Sequence, residues 1–567
     1  RRGGVFAEIL KHHAEQAAQF LHVIVAQIPV VQQNFALRRV IESCQQFDQG
    51  GFARAVHADQ RHGLPGAERK VNVIQHRLCR GGVGETDVAQ FDRVRAPAHR
   101  LLRHCKARHH SGLFVQEGEQ FHYGKVIELQ SYDVHPPVFY LLLHTVCSLT
   151  PGIYSIWQGL ALNILYALIT TVFLYLILEK LIHNQRAAFF VSLVCITNPG
   201  VISNVMFIRM YMLLTMWMVL AIWLHLGMGE KWHWKFFVLN GALAYVGFLT
   251  HYYYLVFLFF LEAAYWLPRL KTEWKRFLIY GVSMLGAGIL AVLSYPACLG
   301  HIFAGYRGKQ ATGNLLNLTD IQARWQFFSG LMNKYVFHGA MIPILLLTSA
   351  CLIALLIKRQ KEMGSFVQCL LIPTTGYFCV SLKASLYGEE AMLRYQMSIY
   401  ILILACIGVI GCLFIREFVN GEHSTYFKRG IYASLLAAML LMNVTGIFQK
   451  RIYFCYPEQA AMTAFAKEHA SDTVVYLYHK DEYKYLIWAD AEALWNYKKV
   501  YFVSTQDMSA MEDKEIQQAD HLIVYSSIMG ADDNFEKYAD LIYDSNSHLT
   551  GYQKEYDGVY AAAYLFE

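Results

Sequence analysis

Apolar residues are unevenly spread along this chain. From about 138 to 449 they gather into long runs, the clearest at 156–178, 207–227, 236–249, 252–267, 277–298, 337–357, 365–382, 398–415 and 431–449. A bilayer core of about 30 Å is crossed by roughly 20 helical residues, so several of these runs are long enough to span it. Two shorter runs, 138–149 and 187–197, reach about 18 Å or less as helices. A backbone in hydrocarbon must satisfy its own polar groups, and many consecutive spans do this as helices. The pattern therefore predicts an all-α polytopic membrane domain over 123–450.

After residue 450 the pattern changes. "TVVYLYH" (473–479), "KVYFVST" (499–505) and "HLIVYSS" (521–527) read as strands, and "GVYAAAYLFE" supplies a last one. Helical stretches are expected near 457–469, 481–495, 508–518 and 532–541. This alternation predicts a small α/β domain over 451–567. No glycine-rich phosphate loop opens its helices, which argues against a nucleotide site.

Basic residues orient the spans. "EKWHWK" (230–235), "KTEWKR" (271–276), "KRQK" (358–361) and "FKR" (427–429) fall on alternate turns, which puts them in the cytoplasm. Asp133, the turn before Arg209, His251, the loops 299–336 and 383–397, and the tail then share the extracytoplasmic side. The net charge of +6 is mild and reads as cytoplasmic loop charge, not as a nucleic-acid footprint. None of the twelve cysteines forms a CxxC pair, and they read as small buried apolar residues.

Residues 1–122 do not match the rest. They hold none of the chain's 37 Tyr and 10 Trp but 11 of its 24 His. The one apolar run, 20–31, is too short to span and contains Pro29. This abrupt shift leads us to expect a wrong reading frame or a chimeric join near residue 122.

Unusual polar residues stand at the outer edges of the predicted helices. Asp133 and His135 in "SYDVHPPVFYLLLH" precede Pro136 and Pro137, which stiffen the backbone and suit a helix start. Asp133 either caps that helix or is a rigidly presented acid; with His135 it can shuttle protons or hold a phosphate-linked metal. Arg209 in "MFIRMYMLL" either snorkels or grips phosphate, and Tyr211 is an interface aromatic or its neighbour in a site. His251, followed by three tyrosines, belongs to an aromatic belt or touches a pyrophosphate or sugar hydroxyl. In "YGEEAMLRYQMSIY", Glu390 and Arg394 are spaced for a helical ion pair, or Arg394 with Tyr395 holds a leaving phosphate. Arg307 and Lys309 are weaker candidates for the same work. These groups come from separated helices yet share one face, and ionisable residues at membrane depth are functional candidates.

"DVHPPVFYLLLH" resembles the signature of bacterial membrane glycosyltransferases of the protein mannosyltransferase-like and aminoarabinose transferase-like group (glycosyltransferase family 39), whose fold is called GT-C. Asp133, His135, Pro136 and Pro137 match it in place. Arg209 and Tyr211 match a second landmark that lacks its acid here, and Arg394-Tyr395 is similar to a third; the resemblance covers roughly 125–450. It implies transfer of a sugar from a polyprenyl-phosphate carrier to a lipid, glycan or protein acceptor outside the cytoplasm. A carboxylate would act at the acceptor or sugar, and arginines would neutralise the phosphate. The family's principal acid lies in the loop after its first transmembrane helix. Glu85 and Asp87 lack that context, so the resemblance also implies that the chain as written is weakly active or inactive. The alternative reading is a polytopic transporter or flippase for lipid-linked glycans, which would show repeats and helices broken at the midplane.

Overall fold

The computed structural model describes residues 115–567, apart from 116, 154, 231–232, 318, 361, 420–423, 455–458, 479–489, 528–534 and 559–560. Most of the anomalous segment, Glu85 and Asp87 with it, and residues 481–489 of the helix expected near 481–495 thus lie outside the described residues, and Ala491–Leu494 is helical. The chain divides into two compact units near residue 455.

The first unit is a helical bundle. Its elements are α1 (Tyr123–Tyr132), α2 (Val138–Ser148), α3 (Ile156–Ile182), α4 (Gln185–Ile196), α5 (Pro199–Met206), α6 (Tyr211–Glu230), α7 (Lys235–Phe248), α8 (Tyr254–Trp266) and α9 (Leu270–Ser294). They continue as α10 (Tyr306–Leu316), α11 (Ile321–Tyr335), α12 (Met341–Ile357), α13 (Ile372–Ala384), α14 (Arg394–Phe418) and α15 (Ser424–Phe448). Six helical stretches among the described residues are long and apolar enough to cross a membrane. One of them, Tyr254–Ser294, takes in both α8 and α9. It cannot be one straight rod. The Tyr280 hydroxyl donates to Glu262, and 18 residues of straight helix would hold these about 27 Å apart. The chain doubles back through "KTEWK", where Glu273 leaves helical geometry at φ −124° and ψ 26°.

Local chemistry explains the ends. Ser155 and Gln158 form a reciprocal capping box on α3, and His183 closes it in the left-handed region at φ 55°. Asn184 caps α4 and Asn198 caps α5. The bend of 61° between α4 and α5 is filled from within. Asn198 Nδ2 donates to the Val336 carbonyl at 2.9 Å and to Asn443 Oδ1 at 3.0 Å, while Asn443 Nδ2 donates to the Val194 carbonyl at 2.8 Å.

Helix α14 is mostly buried and contacts α4, α5, α6, α12 and α13. By contrast α9 and α15 expose rows of leucine, isoleucine and valine, the composition of a lipid-facing surface. The stretch expected as a plain outer loop, 299–336, holds α10 and α11. Its composition is polar enough to hide them: "YRGKQATGNLL" carries no long apolar run.

The second unit is a five-stranded sheet in the order β2-β1-β3-β5-β4. Its strands are β1 (Thr473–Tyr478), β2 (Val500–Ser504), β3 (Leu522–Ser527), β4 (Tyr552–Asp557) and β5 (Ala561–Phe566). β1 pairs in parallel with β2 and β3, and β5 pairs antiparallel with β3 and β4. α16 (Gln459–Glu468) and α17 (Glu536–Ser545) supply Phe465 to one core layer and Ile542 to the other. Both faces are covered, so the central strands read as unbroken apolar runs. The edge strand β4, "YQKEYD", escaped the sequence reading because it is charged, as exposed edges commonly are.

The turn between α7 and α8 depends on a close approach. A Cβ on Gly247 would stand 2.4 Å from the Tyr254 ring. Gly247→Ala should therefore cost about 1–3 kcal/mol, seen as a lowered unfolding temperature in detergent. Gly281→Ala, with open space around it, should leave that temperature nearly unchanged.

Candidate active site at the helix ends

The carboxylate candidate is Asp133, at the end of α1. Its backbone N–H donates to the Gln130 carbonyl at 3.1 Å, so it terminates α1. It does not cap α2, whose first turn has no side-chain cap. Instead its Oδ1 accepts the Val134 N–H at 2.7 Å and its Oδ2 lies 3.0 Å from His135 Nδ1. When the imidazole is neutral, Nδ1 donates to the carboxylate and Nε2 is the basic nitrogen. The Val138 N–H donates to the Leu249 carbonyl at 3.1 Å, which ties the Pro136-Pro137 turn to the end of α7 beside His251.

Around this pair the structure gathers the other candidates. Arg209 follows α5 and is buried; it is within electrostatic reach of Asp133, His135 and His251. His251 packs its ring 5.4 Å from that of Tyr211 and 5.2 Å from that of Tyr253. Tyr253 lies 6.1 Å from the ring of Tyr395 and 3.2 Å, hydroxyl to hydroxyl, from Ser385. Arg394 places its guanidinium 5.4 Å from the Tyr395 ring centre and acts on His135. Arg307, on α10, reaches Tyr253 and Tyr395. Asp133, His135, Arg209, Tyr211, His251, Arg394 and Tyr395 thus form one cluster from four parts of the chain, and Arg307 adds a fifth.

Electrostatics set the protonation states. Burial pushes the Asp133 carboxyl up, but the His135 imidazole, the hydrogen bonds from His135 and Val134, and Arg209 together hold it below the usual range. Burial pushes His135 down; Asp133 pulls it back up, Arg209 and Arg394 push it down again, and the net direction is down. Burial, then the charges of His135 and Arg209, take His251 to about 3. At neutral pH the cluster holds a carboxylate and neutral imidazoles.

The pairing expected of Glu390 is different from the one seen. Glu390 bonds to Lys334 and to the Tyr335 hydroxyl, the latter at 2.7 Å, both on α11. It ends outside α14 in a short 3-10 turn, Glu390–Leu393, so the four-residue helical spacing to Arg394 is lost. A second anchor was not legible from the sequence at all. Asp320 accepts from Arg324 at 2.6 Å and from Lys383 at 2.7 Å. Arg324 also donates to the Ser385 carbonyl and lies 4.4 Å from the Tyr387 ring centre. This clamp fastens the outer helices to the segment carrying Ser385. Among the described residues no three His, Cys, Asp or Glu side chains are placed to hold a metal ion.

The two anchors should differ in weight. Glu390→Gln frees partly exposed partners and should cost under about 1 kcal/mol. Asp320→Ala takes the shared carboxylate from the buried Arg324 and Lys383, which keep only the hydrogen bonds to the Ser385 and Asn317 carbonyls, and should cost more, about 3 kcal/mol. Thermal unfolding in detergent reads both.

No protein-family model and no curated protein sequence matches the chain. Among solved structures, the chain is similar to ArnT from Cupriavidus metallidurans bound to undecaprenyl phosphate, at 11% identity and a TM-score of 0.46, over 85% of this chain and 98% of that one. It is also similar to the apo state of ArnT from the same organism, at 11% identity and a TM-score of 0.44, over 79% and 93%.

Proposed function

We propose that this chain is a membrane glycosyltransferase of the GT-C type that moves a sugar from a polyprenyl-phosphate carrier to an acceptor outside the cytoplasm. The observation that carries this reading is the joining of the Asp133–His135 pair to Arg209 and Arg394 at one end of the bundle. Three guanidiniums, counting Arg307, against one carboxylate leave the named groups two positive charges in excess. A phosphate monoester leaving group carries about two negative charges. Arginine suits that group because its planar donors match phosphate oxygens and its charge is permanent.

In the proposed reaction the bond from the sugar's anomeric carbon to the phosphate oxygen breaks, and the bond to the acceptor oxygen forms. The acceptor proton passes to the Asp133–His135 pair, which also steadies positive charge growing on the sugar. Arg209, Arg394 and Arg307 hold the departing phosphate, with Tyr211 and Tyr395 packed beside them. Neutral His251 hydrogen-bonds the phosphate or a sugar hydroxyl. A divalent metal remains compatible with the donor phosphate, and no step is assigned to it. The tail domain lies on the same extracytoplasmic side in this reading, which follows from the basic cytoplasmic turns. Because the resemblance puts the principal acid upstream of 123, transfer by the chain as written should be weak, and replacing 1–122 with a first helix and acidic loop should raise it.

The transporter reading draws on the broken α4–α5 pair. Its break is filled by Asn198, Asn443 and Thr197 bonding one another and nearby backbone. A substrate-binding break keeps such groups for its ligand, so this feature favours the transferase.

The test is sugar transfer from labelled polyprenyl-phosphate hexoses in membranes, by the chain with a first helix and acidic loop in place of 1–122 and by variants of it. Asp133→Ala and Arg209→Ala should each lower transfer by about 100-fold or more. Loss in neither variant, with both proteins inserted, would overturn the assignment. The pH profile gives a second check. Arg209 lowers the affinity of both Asp133 and His135 for protons, so Arg209→Gln should raise both and move the acid limb of transfer to higher pH. An unmoved limb would separate Arg209 from the pair.

A further inference from the structure

We propose that His301 is a positioning residue for Asp133, holding the end of α1 against the turn that carries His251. This rests on the functional reading above only in giving Asp133 a chemical task.

His301 lies in a π-helical turn, Gly300–Ala304, between α9 and α10. Such turns are uncommon and are frequent at functional sites. Its Nε2 lies 3.1 Å from the Ser131 carbonyl oxygen, and its Nδ1 lies 2.8 Å from the Tyr252 hydroxyl. A carbonyl only accepts, so Nε2 carries the proton toward Ser131, and in the neutral ring Nδ1 accepts from Tyr252. One imidazole therefore bridges two chain segments that end at candidate residues: Ser131 stands two positions before Asp133, and Tyr252 follows His251.

The bridge is well supported. Ser131 lies in the last turn of α1, where helix carbonyls lack partners within the helix. The imidazole sits between two aromatic rings, Tyr252 at 6.1 Å and Tyr295 at 5.8 Å. Both tyrosines are within electrostatic reach of Asp133. The backbone behind the ring packs closely. The Gly305 N–H closes the turn onto the Gly300 carbonyl at 2.6 Å, and a Cβ on Gly308 would stand 2.8 Å from the His301 carbonyl oxygen. α1 is also tied to α2 near its start, where the Tyr123 hydroxyl lies 3.1 Å from the Thr145 hydroxyl oxygen and the Tyr123 ring packs 5.8 Å from that of His144. At the other end of α1, next to Asp133, the bond from His301 to the Ser131 carbonyl acts with the Val138–Leu249 bond in the following turn to fix where Asp133 stands.

The test uses the full chain in lipid vesicles and compares His301→Gln, His301→Leu and Tyr252→Phe. A glutamine amide keeps one donor and one acceptor, leucine keeps neither, and Tyr252→Phe removes one end of the bridge. Hydrogen exchange of amides 129–135 should quicken several-fold in His301→Leu, less in Tyr252→Phe, and little in His301→Gln. Transfer should follow the same order. A misplacement of about 1 Å costs up to roughly 100-fold in rate, so kcat of His301→Leu should fall 10-fold or more while KM for the donor stays within about twofold. Unchanged exchange at 129–135 in His301→Leu would overturn the proposal, as would a glutamine variant as impaired as leucine. Transfer by neither the wild-type chain nor one carrying a first helix and acidic loop in place of 1–122 would remove the functional reading, and the exchange comparison would still decide the bridge.

Discussion

A carboxylate buried at the end of a helical bundle is tolerable only in the company of positive charge and hydrogen-bond donors. Asp133 has both: His135 and the Val134 amide donate to it, and Arg209 lies close by. The arginines are in the same position. Arg209 and Arg394 are each buried, and the nearby carboxylate lowers the cost of placing Arg209 there. Neither sign is stable at that depth without the other, which is why the two signs occur together.

The bundle serves this arrangement through its interruptions. Pro136 and Pro137 start α2 just after the acid, and the bend between α4 and α5 leads into Phe207 and Arg209. The turn after α7 presents His251, packed against Tyr211. The 3-10 turn at Glu390–Leu393 changes direction before Arg394. A continuous helix buries its side chains along a stripe. A helix end faces the cluster with a whole turn of residues, so two neighbours such as Arg394 and Tyr395 can both face it. α10 and α11 pack by the segment that carries Ser385, α10 through Asn314 on the Ala384 and Ser385 carbonyls and α11 through Asp320 with Arg324 and Lys383.

Residue by residue, legibility followed range. Runs of apolar residues foretold the helices to within a few positions, because hydrocarbon leaves the backbone few other options. The fold class and the sheet domain were legible for the same reason: apolar pattern is local information. α1, α10, α11 and β4 were not. Each is polar or charged on an exposed side and held by tertiary contacts that no local pattern reports. Glu390 shows the limit most plainly. Its spacing from Arg394 fits a helical ion pair, yet Lys334 and Tyr335, more than 50 positions away, compete for the same carboxylate and hold it.

What the sequence by itself determined is which segments are apolar helices, roughly where they stop, and that acids, histidines and arginines stand at those stops. These follow from transfer energies and backbone stereochemistry, which act on short stretches. Only the tertiary structure decided that Asp133, Arg209, His251 and Arg394 meet, that Arg307 joins them, and that His301 stands behind the acid. Those outcomes depend on how α6, α8 and α14 pack, and packing is settled by the mutual fit of surfaces from distant parts of the chain. A charged residue's position along the chain shows that it is costly to bury, and the fold supplies the partner that makes the burial stable.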